Sequence, residues 1–152
     1  MGISYCLDDD RRLSVSVWSG EITTDERQRH LAALAANPHW GEGGLLLTDL
    51  TGVAHGSRPD AERLLDAAST FLARLGERAR RAKWAMVASS LLDEAQRFRA
   101  YIEEEAPRLI VFNDVSTAAT WLGVDTEHVR GMVDGLRAEI RSRDSGMSAA
   151  TM

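Results

Sequence analysis

The stretch LLLTDL, residues 45–50, is a continuous apolar run that lies between two glycine-containing segments. A short run without alternation of apolar and polar residues is typical of a strand that is covered on both faces of a sheet. Such a strand needs helices on both sides of it and crossover connections to its parallel neighbours. The stretch therefore predicts an α/β fold, and the flanking segments can be interpreted outward from it.

Towards the N-terminus, two strand-like segments flank the polar link DDDRR of residues 8–12. Residues 3–7 form the first segment. In the second, residues 13–19, Leu13, Val15 and Val17 alternate strictly with their neighbours, which predicts a half-buried strand paired with the first in a hairpin. The sequence TTDE at 23–26 predicts a capping box that opens a helix continuing to residues 37–38.

Towards the C-terminus, helix and strand signals alternate. Residues 57–60 predict the start of a helix that Gly76 ends. Residues 84–88 and 109–112 predict two more buried strands, and a helix over 90–106 between them ends at Pro107. The predicted order then continues with two more helices, so the whole chain reads β-β-α-β-α-β-α-β-α-α. This order indicates one open, mixed and mostly parallel sheet flanked by helices.

The two helices at the end of the chain are marked by caps and by an apolar stripe. Asp114 or Ser116 caps the first, which ends at Gly123. The second covers residues 125–141, and its apolar positions share one face. This face must be buried against the sheet, another element or a second copy of the chain. Residues 142–152 are small and polar, and we expect a disordered tail.

Composition and charge limit the function classes. The chain has 152 residues, 44% hydrophobic and 27% charged, which favours one soluble domain. Its formal net charge of −5 argues against nonspecific nucleic-acid binding, because that affinity comes mainly from lysine and arginine. The lone cysteine, Cys6, indicates a reducing compartment. Since no stretch approaches the roughly 20 apolar residues of a membrane span and no leader is visible, we expect a cytoplasmic protein without an integral membrane segment.

A basic cluster marks the junction between a predicted helix and the next strand. It consists of Arg74, Arg78, Arg80, Arg81 and Lys83. Such a cluster could bind an acidic partner, a phosphate or an anionic head group. Cations at the C-terminal end of a helix also complement the helix dipole, which is the simpler interpretation.

Three stretches of the chain resemble the SpoIIAA-like, STAS-type family. They are residues 17–23, residues 45–53 and residues 111–123. This family includes bacterial anti-sigma-factor antagonists and sulphate-transporter tails, and it is structurally similar to lipid-binding proteins. The resemblance implies a SpoIIAA-like domain over residues 1–123, extended by the helix at 124–141 and by the tail at 142–152. It is strongest to a branch of small uncharacterised bacterial proteins.

The resemblance also implies a loop that is presented to a protein partner. In the antagonists, the loop after the central strand carries an aspartate-serine-glycine motif, and a partner kinase phosphorylates its serine. Here Ser57 lies close to that place but stands between Gly56 and Arg58, so the motif is not well matched and Ser57 can equally be a plain helix cap. The residues of this candidate partner loop are Asp49, Thr51, His55, Ser57 and Asp60.

A catalytic or metal site is weakly supported. Asp49 and Asp114 both follow predicted strands, and with His55 they could form an acid–base group at the carboxyl edge of the sheet. Each aspartate also stands where a turn or a helix cap commonly has one. The four histidines lack metal-ligand spacing, so we expect no metal, no cofactor and no catalytic residue.

The aromatic residues suggest a second kind of site. The four tryptophans are Trp18, Trp40, Trp84 and Trp121. With several phenylalanines and Tyr101 they could line a cavity for an apolar ligand, although packing in the core explains most of them equally well. Trp40 differs, because an aromatic residue in a loop more often marks a contact surface.

These observations lead to three hypotheses about function. The first is a non-catalytic, cytoplasmic regulatory module that binds a protein partner through residues 49–60, and the apolar final helix adds a possible homodimer. The second is a binding module for a lipid or another small apolar ligand. The third is an enzyme that uses Asp49, His55 and Asp114 in an acid–base site.

Overall fold

A five-stranded sheet forms the centre of the computed structural model, which describes residues 2–36, 44–54, 59 and 61–150. The elements in chain order are β1 (Gly2–Asp8), β2 (Leu13–Gly20), α1 (Thr24–Ala35), β3 (Leu45–Val53), α2 (Ala61–Leu75), α3 (Arg78–Arg81), β4 (Lys83–Val87), α4 (Leu92–Tyr101), β5 (Leu109–Phe112), α5 (Val115–Leu122) and α6 (Thr126–Ala150). The strands stand in the order β1-β2-β3-β4-β5. The first pair is antiparallel and the other pairs are parallel, which confirms an α/β fold with a mixed, mostly parallel sheet flanked by helices.

The two faces of the sheet are covered by different helices. Because the parallel strands follow one another in space as in sequence, right-handed crossovers place α1, α2 and α4 on the same face. Apolar side chains from these helices pack there on Leu46, Trp84 and Met86. The opposite face, which contains Leu47 and Val87, is covered by α5 and α6. The C-terminal helices therefore complete the second layer of the fold.

The strand β2 is buried on both faces, so the prediction of a half-buried strand is wrong. Ser14 is only 4% exposed and Ser16 is fully buried, like the apolar residues that alternate with them. The Ser16 hydroxyl lies 3.4 Å from the Thr48 hydroxyl, which satisfies part of its hydrogen-bonding capacity. Alternation indicated a solvent-facing side, but α1 and its neighbours cover that side.

The helix α6 packs against its own sheet. Its buried stripe consists of Val129, Val133, Leu136 and Ile140, and these side chains join the core formed with β2, β3 and β4. Of the three possible surfaces that the sequence left open, the structure therefore selects the sheet. The helix extends to Ala150 and so includes residues 142–150, where we expected a disordered tail.

Helix caps agree with most of the predicted boundaries. The Glu26 backbone N–H donates to Thr23 Oγ1 over 3.1 Å, although the Glu26 carboxylate makes no reciprocal bond among the described residues. Asp114 caps α5 by accepting from the backbone N–H of Thr117 at 2.8 Å, so Asp114 rather than Ser116 is the cap. Gly123 ends this helix at φ 78°, a left-handed conformation that favours glycine.

The helix α4 is shorter than predicted. It ends at Tyr101, and residues 102–105 form a turn before Pro107 is reached. Ile102 leaves the helical region at φ −118° and is fully buried, so packing of this side chain ends the helix before the proline does. The start also differs, because the helix begins at Leu92 rather than at residue 90. Leu91, just before it, is buried, whereas Leu92 is 38% exposed.

Candidate functional site

A cavity of about 130 Å³ lies between the sheet and the helices α1, α2 and α4. The strands contribute Trp18, Leu50, Trp84 and Met86 to its floor. These side chains share one face because β3 and β4 are paired in register and alternate residues point to the same side. The apolar helix residues in its wall are Leu31 and Leu34 from α1, Leu64 and Ala67 from α2, and Leu91, Ala95 and Phe98 around α4.

Aromatic rings make one side of this cavity rigid. The Trp84 ring stacks on Phe71 with centroids 4.7 Å apart and meets Phe98 edge to face at 5.9 Å. The Trp84 indole N–H donates to Thr48 Oγ1 over 2.9 Å, so this tryptophan is anchored to β3. Trp84, Phe98 and Trp18 therefore line the cavity, as the ligand hypothesis predicted for some of the aromatic residues.

Other aromatic residues lie elsewhere. Phe112 and Trp121 pack together at 5.6 Å on the face covered by α5 and α6. Tyr101 is exposed at the end of α4. Trp40 lies outside the described residues, so its predicted role as a contact residue stays a prediction.

The polar group with the most unusual environment in the cavity wall is His30. Its side chain is 5% exposed, and neither ring nitrogen has a hydrogen-bond partner within the part of the chain that the structure describes. Its ring meets the Trp18 ring edge to face at 5.7 Å and lies 5.6 Å from the Tyr5 ring. Burial lowers the pKa of His30 to about 4, so the imidazole is neutral at neutral pH.

Two further unsatisfied donors line the same cavity. The indole nitrogen of Trp18 and the Nε atom of Arg27 are buried, and neither has a hydrogen-bond partner among the described residues. Buried polar atoms in folded proteins are nearly always paired. Nitrogens of Trp18, Arg27 and His30, together with the buried Oε2 atom of Glu94, therefore distinguish this wall from ordinary core packing.

Positive charge is concentrated on the helix side of the cavity. Arg27 lies in the first turns of α1 and Arg63 in those of α2, and both contribute to the wall. Burial lowers the pKa of Arg27, and the neighbouring charge of Arg63 lowers it further, while Asp66 acts in the opposite direction. Glu94 adds a carboxylate on the α4 side. The charges of Arg27 and Arg63 therefore repel each other.

Asp49, which the sequence placed in two candidate sites, is held on the opposite face of the sheet. It is fully buried, and its Oδ2 accepts from Arg137 of α6 at 2.5 Å. Its Oδ1 accepts from both the backbone N–H and the hydroxyl of Thr51, at 3.0 and 2.7 Å. Arg137 also donates to the Thr51 hydroxyl over 3.0 Å. This network ties the end of β3 to α6.

The two aspartates of the hypothetical acid–base group lie apart. Asp49 is on β3 and Asp114 follows β5, and β4 stands between these strands, a separation of about 10 Å across the sheet. Asp114 is exposed, and hydrogen bonds from the backbone and side chain of Thr117 hold its pKa below the usual value. Both carboxylates are thus engaged locally, one in an ion pair and one in a helix cap.

Several sequence-predicted residues cannot be placed. His55, Ser57 and Asp60 lie outside the described residues, so the partner loop and the phosphoswitch stay predictions. Thr51 is half-buried within the Asp49 network. In the described ranges, no group of three or more histidine, cysteine, aspartate or glutamate side chains is arranged to hold a metal ion. No helix found there has the length and apolar character needed to cross a bilayer.

Two members of the basic cluster donate hydrogen bonds to helix ends within the fold. Arg78 Nη1 donates to the carbonyl oxygen of Ala35 over 2.7 Å and thereby satisfies the end of α1. Lys83 Nζ donates to the carbonyl oxygen of Trp121 over 2.5 Å at the end of α5 and lies 4.5 Å from the Trp121 ring centre. These contacts support the simpler interpretation, in which the cations complement helix ends.

Sequence reasoning missed the polar residues of the cavity wall and the partner of Asp49. Arg27 and His30 are three positions apart on α1, next to the apolar Leu31, so a buried polar stripe was visible in principle. Arg137 carried no signal, because it lies 88 positions from Asp49. Comparison of the chain with protein families, with curated proteins and with solved structures gives no match in any of the three.

Proposed function

We propose that this protein binds a small, mainly apolar molecule in the partly open cavity between the sheet and the helices α1, α2 and α4. The observation that carries this proposal is the apolar cavity of about 130 Å³, whose wall contains the buried His30, a side chain with no hydrogen-bond partner among the described residues. Engineered cavities of similar size bind ring-sized molecules such as benzene. The same volume is too small for a lipid with two acyl chains.

The position of the cavity supports the same function. It lies beside the carboxyl ends of β2 and β3, with Trp18 and Val53 in its wall, and open α/β sheets bind their ligands at this edge. Natural cores are packed to the density of organic crystals. A cavity bordered by a rigid aromatic floor and by unsatisfied polar atoms is therefore a site that a ligand can complete.

The resemblance to the SpoIIAA-like family supports two functions. Its structural similarity to lipid-binding proteins agrees with a ligand-binding role, and its antagonist branch suggests a protein partner at residues 49–60. The first role has the cavity in its favour, whereas Asp49 is buried beneath α6 and unavailable for direct contact. We therefore place ligand binding first and keep a non-catalytic interaction module as the alternative.

The proposal can be tested by a substitution on α2 whose larger side chain fills the cavity. Ala67 of α2 is half-buried and lines the cavity, so the Ala67→Phe side chain would occupy the ligand volume. Ala73 is exposed on the same helix, and Ala73→Phe is the matched control. The probe is toluene, added in steps during thermal unfolding.

Toluene should raise the unfolding temperature of the wild type and of Ala73→Phe, because a ligand that binds only the folded state stabilises it by about 2.7 kcal/mol at a hundred times its dissociation constant. Ala67→Phe should show no such shift. The proposal would be contradicted if saturating toluene left the unfolding temperature of the wild type unchanged, or if it raised the unfolding temperatures of Ala67→Phe and Ala73→Phe equally.

A further inference from the structure

We infer that the natural ligand is a small monocarboxylic acid whose apolar, ring-sized body fills the cavity and whose carboxylate accepts hydrogen bonds from Arg27, Trp18 and His30. This inference rests on the proposed function and adds the chemical class of the ligand. It follows from which polar atoms are unsatisfied, from where charge is concentrated, and from the volume available.

The unsatisfied nitrogens of the wall are mainly hydrogen-bond donors, and the buried Glu94 Oε2 on the α4 side adds one acceptor atom that accepts no hydrogen bond in the described ranges. An indole nitrogen and a guanidinium Nε can only donate, and a neutral imidazole has one donor and one acceptor. The buried nitrogens of Trp18, Arg27 and His30 therefore require a ligand group with several acceptor oxygens. A carboxylate supplies about four acceptor positions on two atoms, whereas an alcohol or a ketone supplies only two.

These donors converge on one region of the wall. Arg27 and His30 are three positions apart on α1, so their side chains lie on neighbouring parts of one helix face. The His30 ring contacts the Trp18 ring at 5.7 Å, which brings the indole of β2 to the same place. A single small group can therefore reach donors from both the helix and the sheet.

The charge of the wall favours an anion. The charges of Arg27 and Arg63, which both contribute to the wall, repel each other, and a bound carboxylate would reduce this repulsion. The Nε edge of a guanidinium group together with an adjacent Nη atom matches the two oxygens of a carboxylate. Of the acidic neighbours, Asp66 already offsets Arg27, Glu94 lies on the α4 side, and Glu26 lines an outer groove with His30.

The remaining volume defines the body of the ligand. A cavity of about 130 Å³ holds one ring or a short branched chain, and its floor of Trp84, Phe98 and Met86 is apolar. Benzoate and phenylacetate have this size and charge. Benzyl alcohol has the same ring but no charge, so it is the matched neutral probe.

The experiment measures dissociation constants by calorimetry at neutral pH for benzoate, phenylacetate and benzyl alcohol. We expect at least one of the acids to bind about tenfold or more tightly than the alcohol, because hydrogen bonds to a charged group are stronger than those to a neutral one. Arg27→Gln should remove most of this preference, because it should weaken binding of the acids at least severalfold more than binding of benzyl alcohol. Arg29→Gln is the matched control, since Arg29 is exposed on the same helix and lines the outer groove rather than the cavity.

A second variant keeps the inference testable if Arg27→Gln does not fold. Trp18→Phe retains an aromatic ring but removes the indole N–H, and it should weaken the acids severalfold more than the alcohol. Alcohol binding equal to or tighter than that of both acids would overturn the inference and leave the proposed function standing. If neither an acid nor the alcohol binds the wild type, the proposed function fails as well.

Discussion

At the scale of single residues, His30 is a buried polar group whose ring nitrogens have no hydrogen-bond partner in the part of the chain that the structure describes. Leaving a buried donor or acceptor unpaired costs about 1–3 kcal/mol, a substantial part of the stability of a typical domain. The neutral imidazole limits this cost because a buried charge would be far more expensive. A ligand that bonds to the ring would recover part of the lost energy.

Acidification should destabilise the protein through His30. The pKa of this residue is about 4 in the folded state against 6.5 unperturbed, so the unfolded state gains a proton first as the pH falls. The free energy of unfolding should therefore fall by about 3 kcal/mol in total as the pH is lowered from 6.5 to about 4. Urea unfolding of the wild type and of His30→Leu across this range should show the slope only in the wild type.

Two aspartate side chains with shifted pKa values can be separated from this effect. Asp8 and Asp114 have lowered pKa values, so their contributions are lost only in more acidic solution and are common to both proteins. Equal pH dependence in wild type and His30→Leu would show that His30 is not buried in its neutral form.

Arg137 should matter for stability through Asp49. Among the described residues, Arg137→Met would leave only Thr51 as a partner of the buried carboxylate. We expect a loss of about 2 kcal/mol, less than for a fully buried pair because Arg137 is partly exposed. The exposed Arg141 lies on the same helix, and Arg141→Met should change stability by no more than about 0.5 kcal/mol. Urea unfolding measures both variants.

A double-mutant cycle tests the cause of this loss. Adding Asp49→Asn to Arg137→Met removes the uncompensated charge, so the double variant should lose less than the sum of the two single losses. Additive losses would mean that the two side chains act independently and would contradict the ion pair as the source of the stability.

At the scale of elements, α6 is part of the core. Its stripe closes the face of the sheet that the crossover helices cannot reach, since consecutive right-handed crossovers place those helices on the other face. The apolar stripe of α6 is thus buried against the sheet of its own chain. It no longer argues for a homodimer, which would need another surface.

Two neighbouring positions of α6 should therefore respond in opposite directions. Leu136 is buried, and Leu136→Ala should reduce stability by about 3 kcal/mol through lost burial and the cavity it leaves. Gly135 is exposed with no atom within 4 Å of an added Cβ, so Gly135→Ala should increase stability by about 0.5–1 kcal/mol. Thermal and urea unfolding of the purified variants provide the measurement, and equal effects would mean that the stripe is not packed on the sheet.

At the scale of the whole molecule, the two faces of the sheet have different roles. The α5 and α6 face is closed by apolar packing and by the Asp49–Arg137 pair. The α1, α2 and α4 face contains the cavity, with donors that have no hydrogen-bond partner within the described ranges. The α6 layer thus mainly stabilises the fold, whereas the proposed ligand binds on the opposite face of the sheet. Substitutions on α6 should therefore leave ligand affinity largely unchanged.

Much of the fold was predictable because its signals are local. The apolar run at 45–50 became the central strand β3, and Asp114 and Gly123 bound α5 as predicted. The alternation of Ser14 and Ser16 with apolar residues led to the wrong prediction of a half-exposed strand. Both serines are buried, because helices that are distant in sequence cover them. The sequence predicted the cavity only as one of two possible roles of the aromatic residues, the other being packing in the core.

The order of strands and helices follows from the chain alone, because apolar periodicity, helix caps and glycine stops act over a few neighbouring residues. Only the tertiary structure decided that Trp18, Arg27 and His30 share one cavity, that Arg137 pairs with Asp49, and that α6 covers the sheet. Each of these depends on segments that meet through folding. Burial and unpaired hydrogen-bonding groups are properties of the assembled neighbours, and no single segment contains them.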